Sequence, residues 1–394
     1  MLREYFQRYQ ITDYLGPAVI GDVKFDCALG TNPYLDTQIV EDCLERATWT
    51  VNAYEFSAYD PLRDRLLAYW RGTVPGLDRR NLAFGAGTFG LIRDTCTFTL
   101  DRGGMAWGYA PQFPRIESEV RLRRARYGWV SMEPPLKKAV EQAGVRTSGN
   151  RPKKVVEQAP RGGNADTTVS STDAQPYRFD ADRLLARLPE PVDLVYLDSP
   201  NNPTGQVIPL ADIARITARA RDLDAIVLVD EAYGDYVDQG RSAINLVPLF
   251  DNLAVIRSAS KFWGLPNHRI GYVVAHPGLI ELYDKVTAPF PFTDFSARVF
   301  TYLLDRADEV ERSRELVRRA KTELMALPGV LTTDPATPIL TLPIPAEALA
   351  ARGIIGESCG INHGLGTGYS RLRLTTNTTA LVAELAQIHE ELPL

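Results

Sequence analysis

Cysteine is scarce in this chain. Cys27, Cys43, Cys96 and Cys359 are the four among 394 residues, and no two of them form a CxxC pair. That scatter suggests neither a zinc site nor a disulfide framework, so no metal is expected, and it suits a reducing cytosol. Long apolar runs are missing as well. No stretch approaches the roughly 20 apolar residues of a membrane span, and the opening MLREYFQRYQ is charged and amphipathic rather than a basic stub before an apolar run. The chain reads as soluble, not exported, and cytoplasmic. A basic excess is also absent. The net charge of -5 argues against a phosphate-backbone binder, so neither nucleic acid nor a membrane is an expected partner.

What is present is ordinary globular composition, 45% hydrophobic and 24% charged, in a chain too long for one ordinary core. A large domain with a smaller partner is therefore expected. From about residue 60 helical and strand-like segments alternate. PLRDRLLAYWRG and GLIRDTCTFTL read as helices, and the runs at 193–198, 225–230, 253–260 and 270–276 read as strands. Continuous apolar runs of this kind are strands buried on both faces, which requires helices above and below a mostly parallel sheet. ADIARITARARDL supplies one crossover helix. After about 285 the pattern gives the helix VERSRELVRRAKTELMAL, short strands at VLTTD, ILTLPI and RLRLTT, and a last helix ALVAELAQIHEEL. The segment 131–176 breaks the rhythm. It is rich in Lys, Gly, Ser, Thr and Pro and holds a near-repeat, KKAVEQAG and KKVVEQAP, which reads as a surface insertion.

The candidate chemistry lies at strand ends. Lys261, in SASKFWG, follows an apolar strand, where open α/β sheets place ligands. Ser258 and Ser260 flank it with hydroxyls, and the guanidinium fork of Arg269 has the spacing to return to the same phosphate. Asp230 ends AIVLVD and is followed by EAY, so Asp230 and Tyr233 stand at a neighbouring strand end. A carboxylate there suits a pyridinium nitrogen and a tyrosine hydroxyl suits a phenolate oxygen. Asn202, in SPNNPTG, precedes a proline and is held extended, with an amide free to donate. GAGT at 85–88 opens a helix after a short strand and so presents free N–H groups to an anion. Phe113, in YAPQFP, has an aromatic face that suits stacking on a ring.

GAGT, APQFP, SPNNPTG, VDEAY and SASK followed by Arg269-Ile-Gly-Tyr, in this order and spacing, resemble the class I/II aminotransferases of fold type I, most closely the histidinol-phosphate aminotransferase branch. The resemblance covers roughly residues 25–394 apart from the insertion, with LGTNP a weaker echo. It implies an α/β aspartate-aminotransferase fold: a large cofactor-binding domain at 51–285 with a mostly parallel central sheet, a smaller C-terminal α/β domain at 286–394, and an N-terminal arm with part of the small domain at 1–50. It implies pyridoxal 5'-phosphate as cofactor, with Lys261 as the Schiff-base lysine and Asp230 on the pyridine nitrogen. Asn202 and Tyr233 would hold the ring oxygen and Phe113 would stack on the ring. Ala86, Gly87, Ser258, Ser260 and Arg269 would bind the phosphate. Tyr54 would reach the phosphate of a second subunit, which makes a homodimer the expected active unit.

For substrate, Arg373 matches the arginine that clamps the α-carboxylate, with Arg371 two residues away on the same strand face as the weaker candidate. The chain departs from the histidinol-phosphate branch just past Gly353-Ile354-Ile355, where that branch carries a phosphate-binding arginine and this chain has Gly356 and Glu357. Asn377 replaces a usual glycine. The implied activity is amino-group transfer from an amino acid with a neutral or cationic side chain to a 2-oxo acid. A pyridoxal-phosphate lyase or cyclase acting on an arginine-like amino acid would use the same cofactor residues and would welcome Glu357. A non-enzymatic effector-binding module is the third reading, and the N-terminus is short for the DNA-binding head it would carry.

Overall fold

The computed structural model describes residues 22–28, 30–46, 59–132 and 177–391. Tyr54 and nearly all of the insertion, 133–176, lie outside the described residues. Phe25–Asp26 (β1) is the first strand. The central sheet is built from Leu82–Ala86 (β2), Met105–Ala110 (β3), Arg126–Ser131 (β4), Leu194–Asp198 (β5), Ile226–Glu231 (β6), Leu253–Ser258 (β7) and Ile270–Ala275 (β8). Their order across the sheet is β2-β8-β7-β6-β5-β3-β4, and β8 alone runs against the others.

Burial explains why this sheet forms. Every residue of β5, β7 and β8 is buried, as the continuous apolar runs require of strands covered on both faces. One face carries Ile213 and Ile216 of the helix Leu210–Arg221 against Val195, Val227 and Val255. The other carries Leu91, Ile92 and Cys96 of the helix Gly87–Thr99 against Leu194, Leu228 and Val273. The helix at 210–221 is the expected crossover between β5 and β6.

A second, three-stranded antiparallel sheet joins Glu357–Ser358 (β11), Ser370–Arg373 (β12) and Ile339–Leu342 (β9) in the order β11-β12-β9. The helices Ala307–Met325 and Thr378–Glu391 accompany it. Ile354–Ile355 (β10) pairs instead with β1, in parallel, so the segment near the start of the chain joins the part near its end. Of the three short strands expected after residue 325, VLTTD is not one. Only Thr332 makes a single bridge there, because Thr333 and Asp334 that follow hydrogen-bond to a lysine and to a neighbouring loop rather than to a strand.

The twist and register of β2, β7 and β8 bring two backbones into contact where the helix Gly87–Thr99 begins. Gly87 has φ +70, and a Cβ on Gly271 would lie 2.5 Å from the Gly87 carbonyl carbon. Backbone cannot rotate away as a side chain does. Gly271→Ala is expected to cost about 1–3 kcal/mol of overpacking, read as a fall of several degrees in the thermal unfolding midpoint. An unchanged midpoint would mean that the two segments separate freely.

Candidate active site

The carboxyl ends of five strands meet at one edge of the central sheet, and their residues surround a cavity of about 190 Å³. Asp198 ends β5, Asp230 lies at the end of β6, Ser258 ends β7, and the turn after β7 carries Ser260 and Lys261. Lys261, Asp230, Tyr233, Asn202, Phe113, Ser258, Ser260, Arg269, Glu357, Arg371 and Arg373 all line that cavity. Residues from 113 to 373 in the sequence are thus brought together. Ala86 and Gly87 do not line it. Thr88 and Phe89 do, while Gly87 lies behind Arg269, whose Nη2 would be 2.5 Å from a Cβ at that position. Arg269 itself adopts left-handed backbone, φ 53, which is uncommon for a residue with a side chain and directs attention to a functional constraint.

The amine of Lys261 is partly buried and lies 5.8 Å from the centre of the Tyr233 ring. Burial, then the guanidinium groups of Arg373, Arg371 and Arg269, hold it well below its ordinary value of 10.5. The consequence is an amine with a larger neutral, nucleophilic fraction than an ordinary lysine has. Asp230 is shifted the other way. Burial pushes its carboxyl up to about 7, although it accepts a hydrogen bond from the Tyr196 hydroxyl at 2.9 Å and from the Ala232 N–H at 2.9 Å. A cation placed against it would restore its charge.

Under these groups lies a buried ion cluster. Arg257 is 1% exposed and bridges Glu231 and Asp235, each at 2.8 Å. Glu231 also accepts from the Ser242 hydroxyl and the Ala243 N–H, and Asp235 from the Trp263 indole N–H at 3.0 Å. Its members alternate in sequence with Asp230, Tyr233 and Ser258, so holding the cluster holds the site.

Asp198 plays a matching part on the other side and was not legible as a site residue in the sequence. Its carboxylate accepts from Tyr109, Asn201, the Asn202 N–H and the Phe113 N–H, which ties the 111–114 and 199–205 loops to the end of β5. The available signal was an acidic residue directly before SPNNPTG. Tyr196, Thr88, Phe89, Ser358 and Asn362 were also missed, the first because a tyrosine in an apolar strand reads as core.

The two arginines of β12 divide their duties. Arg371 is ion-paired to Glu357, donates to the Ala28 carbonyl at 2.7 Å, and donates to Asn202 Oδ1 at 3.0 Å. Glu357 is therefore not a free carboxylate. Arg373 is 6% exposed and donates to the Gly30 carbonyl, but no carboxylate pairs with it among the described residues, and its Nε has no partner. A buried guanidinium without a counter-ion on a cavity wall calls for an anionic guest.

Residues 165–388 match a family model described as aminotransferase class I and II. The chain belongs to the class I and II aminotransferase family. A histidinol-phosphate aminotransferase of Methanococcoides burtonii is 33% identical over 223 residues, 55% of this chain and 60% of that protein. An aromatic amino acid aminotransferase of Mycolicibacterium vanbaalenii is 28% identical over 289 residues, covering 73% of this chain and 69% of that one. The chain thus spans 41–60% of the length of the histidinol-phosphate relatives it matches. Among solved structures, a double mutant of Thermus thermophilus aspartate aminotransferase superposes with a TM-score of 0.75 at 18% identity, covering 98% of this chain and 99% of that one. The histidinol-phosphate aminotransferase of Sinorhizobium meliloti, solved with pyridoxal-5'-phosphate, gives 0.71 at 17%, covering 99% and 98%. These likenesses show the aspartate-aminotransferase fold, fold type I, for this aminotransferase-family chain.

Among the described residues no helix is long and apolar enough to cross a membrane, and no group of three or more His, Cys, Asp or Glu is placed to hold a metal ion.

The raised Asp230 carboxyl has a consequence for stability. The folded chain keeps a proton there that the unfolded chain, at 3.8, has lost, so stability falls as pH rises from about 4 to about 7 and stays lower above. Asp230→Asn is expected to stabilise the cofactor-free protein at pH 8 by about 1–3 kcal/mol, less than the full shift because one amide oxygen replaces two acceptors. At pH 4 the two proteins should unfold alike. Equal pH profiles of unfolding would mean that Asp230 is charged in the folded chain.

Proposed function

We propose that this protein is a pyridoxal-phosphate-dependent aminotransferase that moves the amino group of an amino acid with a neutral side chain to a 2-oxo acid. The observation that carries it is an amine of lowered proton affinity, Lys261, in one cavity with a buried carboxyl of raised proton affinity and with the guanidinium groups of Arg269 and Arg373, which have no carboxylate partner among the described residues. That set fits pyridoxal phosphate. The hydroxyl of Tyr233 is buried without a partner, as a contact for the ring oxygen requires, and the Gly87 backbone leaves Arg269 room beside Ser258 and Ser260 for a phosphate. When bound, the cofactor supplies a reactive aldehyde and an electron sink.

This chain's residues do the rest. Asp230 holds a proton for the ring nitrogen and regains its charge by doing so. Tyr233 and the Asn202 amide hold the ring oxygen. Phe113 covers the ring face, and Arg373 clamps the substrate carboxylate through a bidentate pair. Lys261 would take the α-proton as general base, a role that its lowered proton affinity suits. On the same reading the chain divides at about residues 50 and 285, and Tyr54 reaches the phosphate of a second subunit in a homodimer.

The side-chain preference follows from the Arg371–Glu357 pair. With its charge balanced, this wall offers no net attraction to a cationic side chain, while Phe89, Phe113 and Pro114 offer apolar contact. Pure protein loaded with pyridoxal phosphate is to be incubated with single amino acids, with and without 2-oxoglutarate, and assayed for pyridoxamine phosphate. Neutral and aromatic amino acids are expected to give it. Histidinol phosphate as best substrate would contradict the preference, and product without pyridoxamine phosphate would indicate a lyase. Glu357→Gln strips Arg371 of its counter-ion, and kcat/KM for acidic relative to neutral amino acids is expected to rise about tenfold, as one gained charge-assisted hydrogen bond of ~1.4 kcal/mol implies.

A further inference from the structure

The loop that carries Asn202 is gripped by a segment more than a hundred residues away. Three threonine hydroxyls reach three successive carbonyls: Thr341 to Pro203 at 2.7 Å, Thr333 to Thr204 at 2.8 Å, and Thr337 to Gly205 at 3.1 Å. Behind two of these hydroxyls lies Lys321, on the helix Ala307–Met325 and wholly buried. Its amine donates to Thr333 Oγ1 at 2.9 Å, Thr337 Oγ1 at 2.6 Å and the Asp334 carbonyl at 2.6 Å. No carboxylate pairs with it among the described residues. The Asp334 side chain is engaged with Arg241 instead, at 2.6 Å.

The contact with the loop is close. A Cβ on Gly205 would lie 2.5 Å from Thr337 Oγ1 and 2.8 Å from Lys321 Nζ. A methionine would fill the space of Lys321 without the cost of burying an amine, so packing alone does not account for this residue. What the amine adds is direction. A hydroxyl that accepts from Lys321 has its own proton left for the loop, so the amine aims Thr333 at the Thr204 carbonyl. Thr337 Oγ1 lies equally 3.1 Å from the Gly205 and Asp334 carbonyl oxygens, and a Lys321 N–H already on Asp334 turns the hydroxyl proton toward Gly205.

We propose that Lys321 is a positioning residue for Asn202, acting through Thr333 and Thr337 on the backbone at 204–205. The grip complements the hold of Arg371 on the Asn202 amide oxygen, which leaves the amide N–H₂ as the group presented to the cavity. The cofactor half of this inference rests on the pyridoxal-phosphate reading above, and the loop half does not.

The test has two readouts. Hydrogen exchange is measured on the cofactor-free chain at the Thr204 and Gly205 amides, which bond to Asn201. Lys321→Met is expected to speed both at least tenfold while the amides of β6 stay as they were. With pyridoxal phosphate bound, the pH midpoint of its visible absorption band is expected to rise by at least half a unit, since a displaced amide stabilises an ionised ring oxygen less. Thr333→Val, which removes one tie and leaves the lysine, is expected to do the same in smaller measure and serves if the methionine variant does not fold. A lower unfolding midpoint with loop exchange within twofold of wild type would overturn the proposal, as would faster exchange with an unmoved absorption midpoint. Wild-type protein that takes up no pyridoxal phosphate would overturn the functional reading and the cofactor half together, with the exchange data still deciding the grip.

Discussion

The site depends on one buried guanidinium. Arg257 lies between Glu231 and Asp235 on the ends of β6 and β7, with Trp70 4.8 Å beneath its plane. Three charges this deep carry a desolvation penalty of several kcal/mol each, which their mutual attraction offsets only while all are in place. Breaking such a cluster by removing one member typically costs about 3–5 kcal/mol. That cost is what fixes Asp230, Tyr233, Ser258 and Lys261, each one to four residues from a member, at the distances they keep. Sequence neighbours that point the other way from the sheet edge thus supply the rigidity that the cavity-facing residues require.

On that base the cavity shifts its groups away from the protonation states they prefer in water. Lys261 is pushed toward the neutral amine and Asp230 toward the neutral acid, both first by burial. Arg269 and Arg373 have no carboxylate partners among the described residues. The arrangement is unfavourable for an isolated chain and favourable for one that holds an anionic, ring-nitrogen-bearing guest. On the proposed reading, the stability that Asp230 forgoes is the counterpart of affinity for a pyridinium nitrogen. Glu357 belongs to a different balance, tethering Arg371 so that the wall facing the substrate side chain carries little net charge.

Much of this was legible in the sequence, for a physical reason. Strands buried on both faces must read as unbroken apolar runs, so β5 to β8 were found within a residue or two, and the residue types at their ends disclosed Asp230, Tyr233 and Lys261. Hidden were the groups whose role is to hold others. Asp198 reads as a strand-end cap, Tyr196 as core, and Lys321 as a solvated position on a charged helix. Asp198 holds Tyr109 from 89 residues away, Tyr196 holds Asp230 from 34, and Lys321 acts on its loop only through Thr333 and Thr337, so no local pattern marks them. VLTTD was misread as a strand because two β-branched threonines suit one, whereas here the Thr333 hydroxyl serves the loop at Thr204. Glu357 was seen, but its pairing with Arg371 needed the antiparallel register of β11 and β12, in which those two residues stand opposite one another.

The central claim is that Lys261 is the amine that takes a carbonyl cofactor. It is tested by equilibrating the protein with pyridoxal phosphate, reducing with borohydride, digesting, and locating the phosphopyridoxyl group by mass spectrometry. The account predicts a single modified peptide, with the label on Lys261 at near one equivalent per chain. Label spread over surface lysines, or settled on Lys321 or any other single lysine, would contradict it.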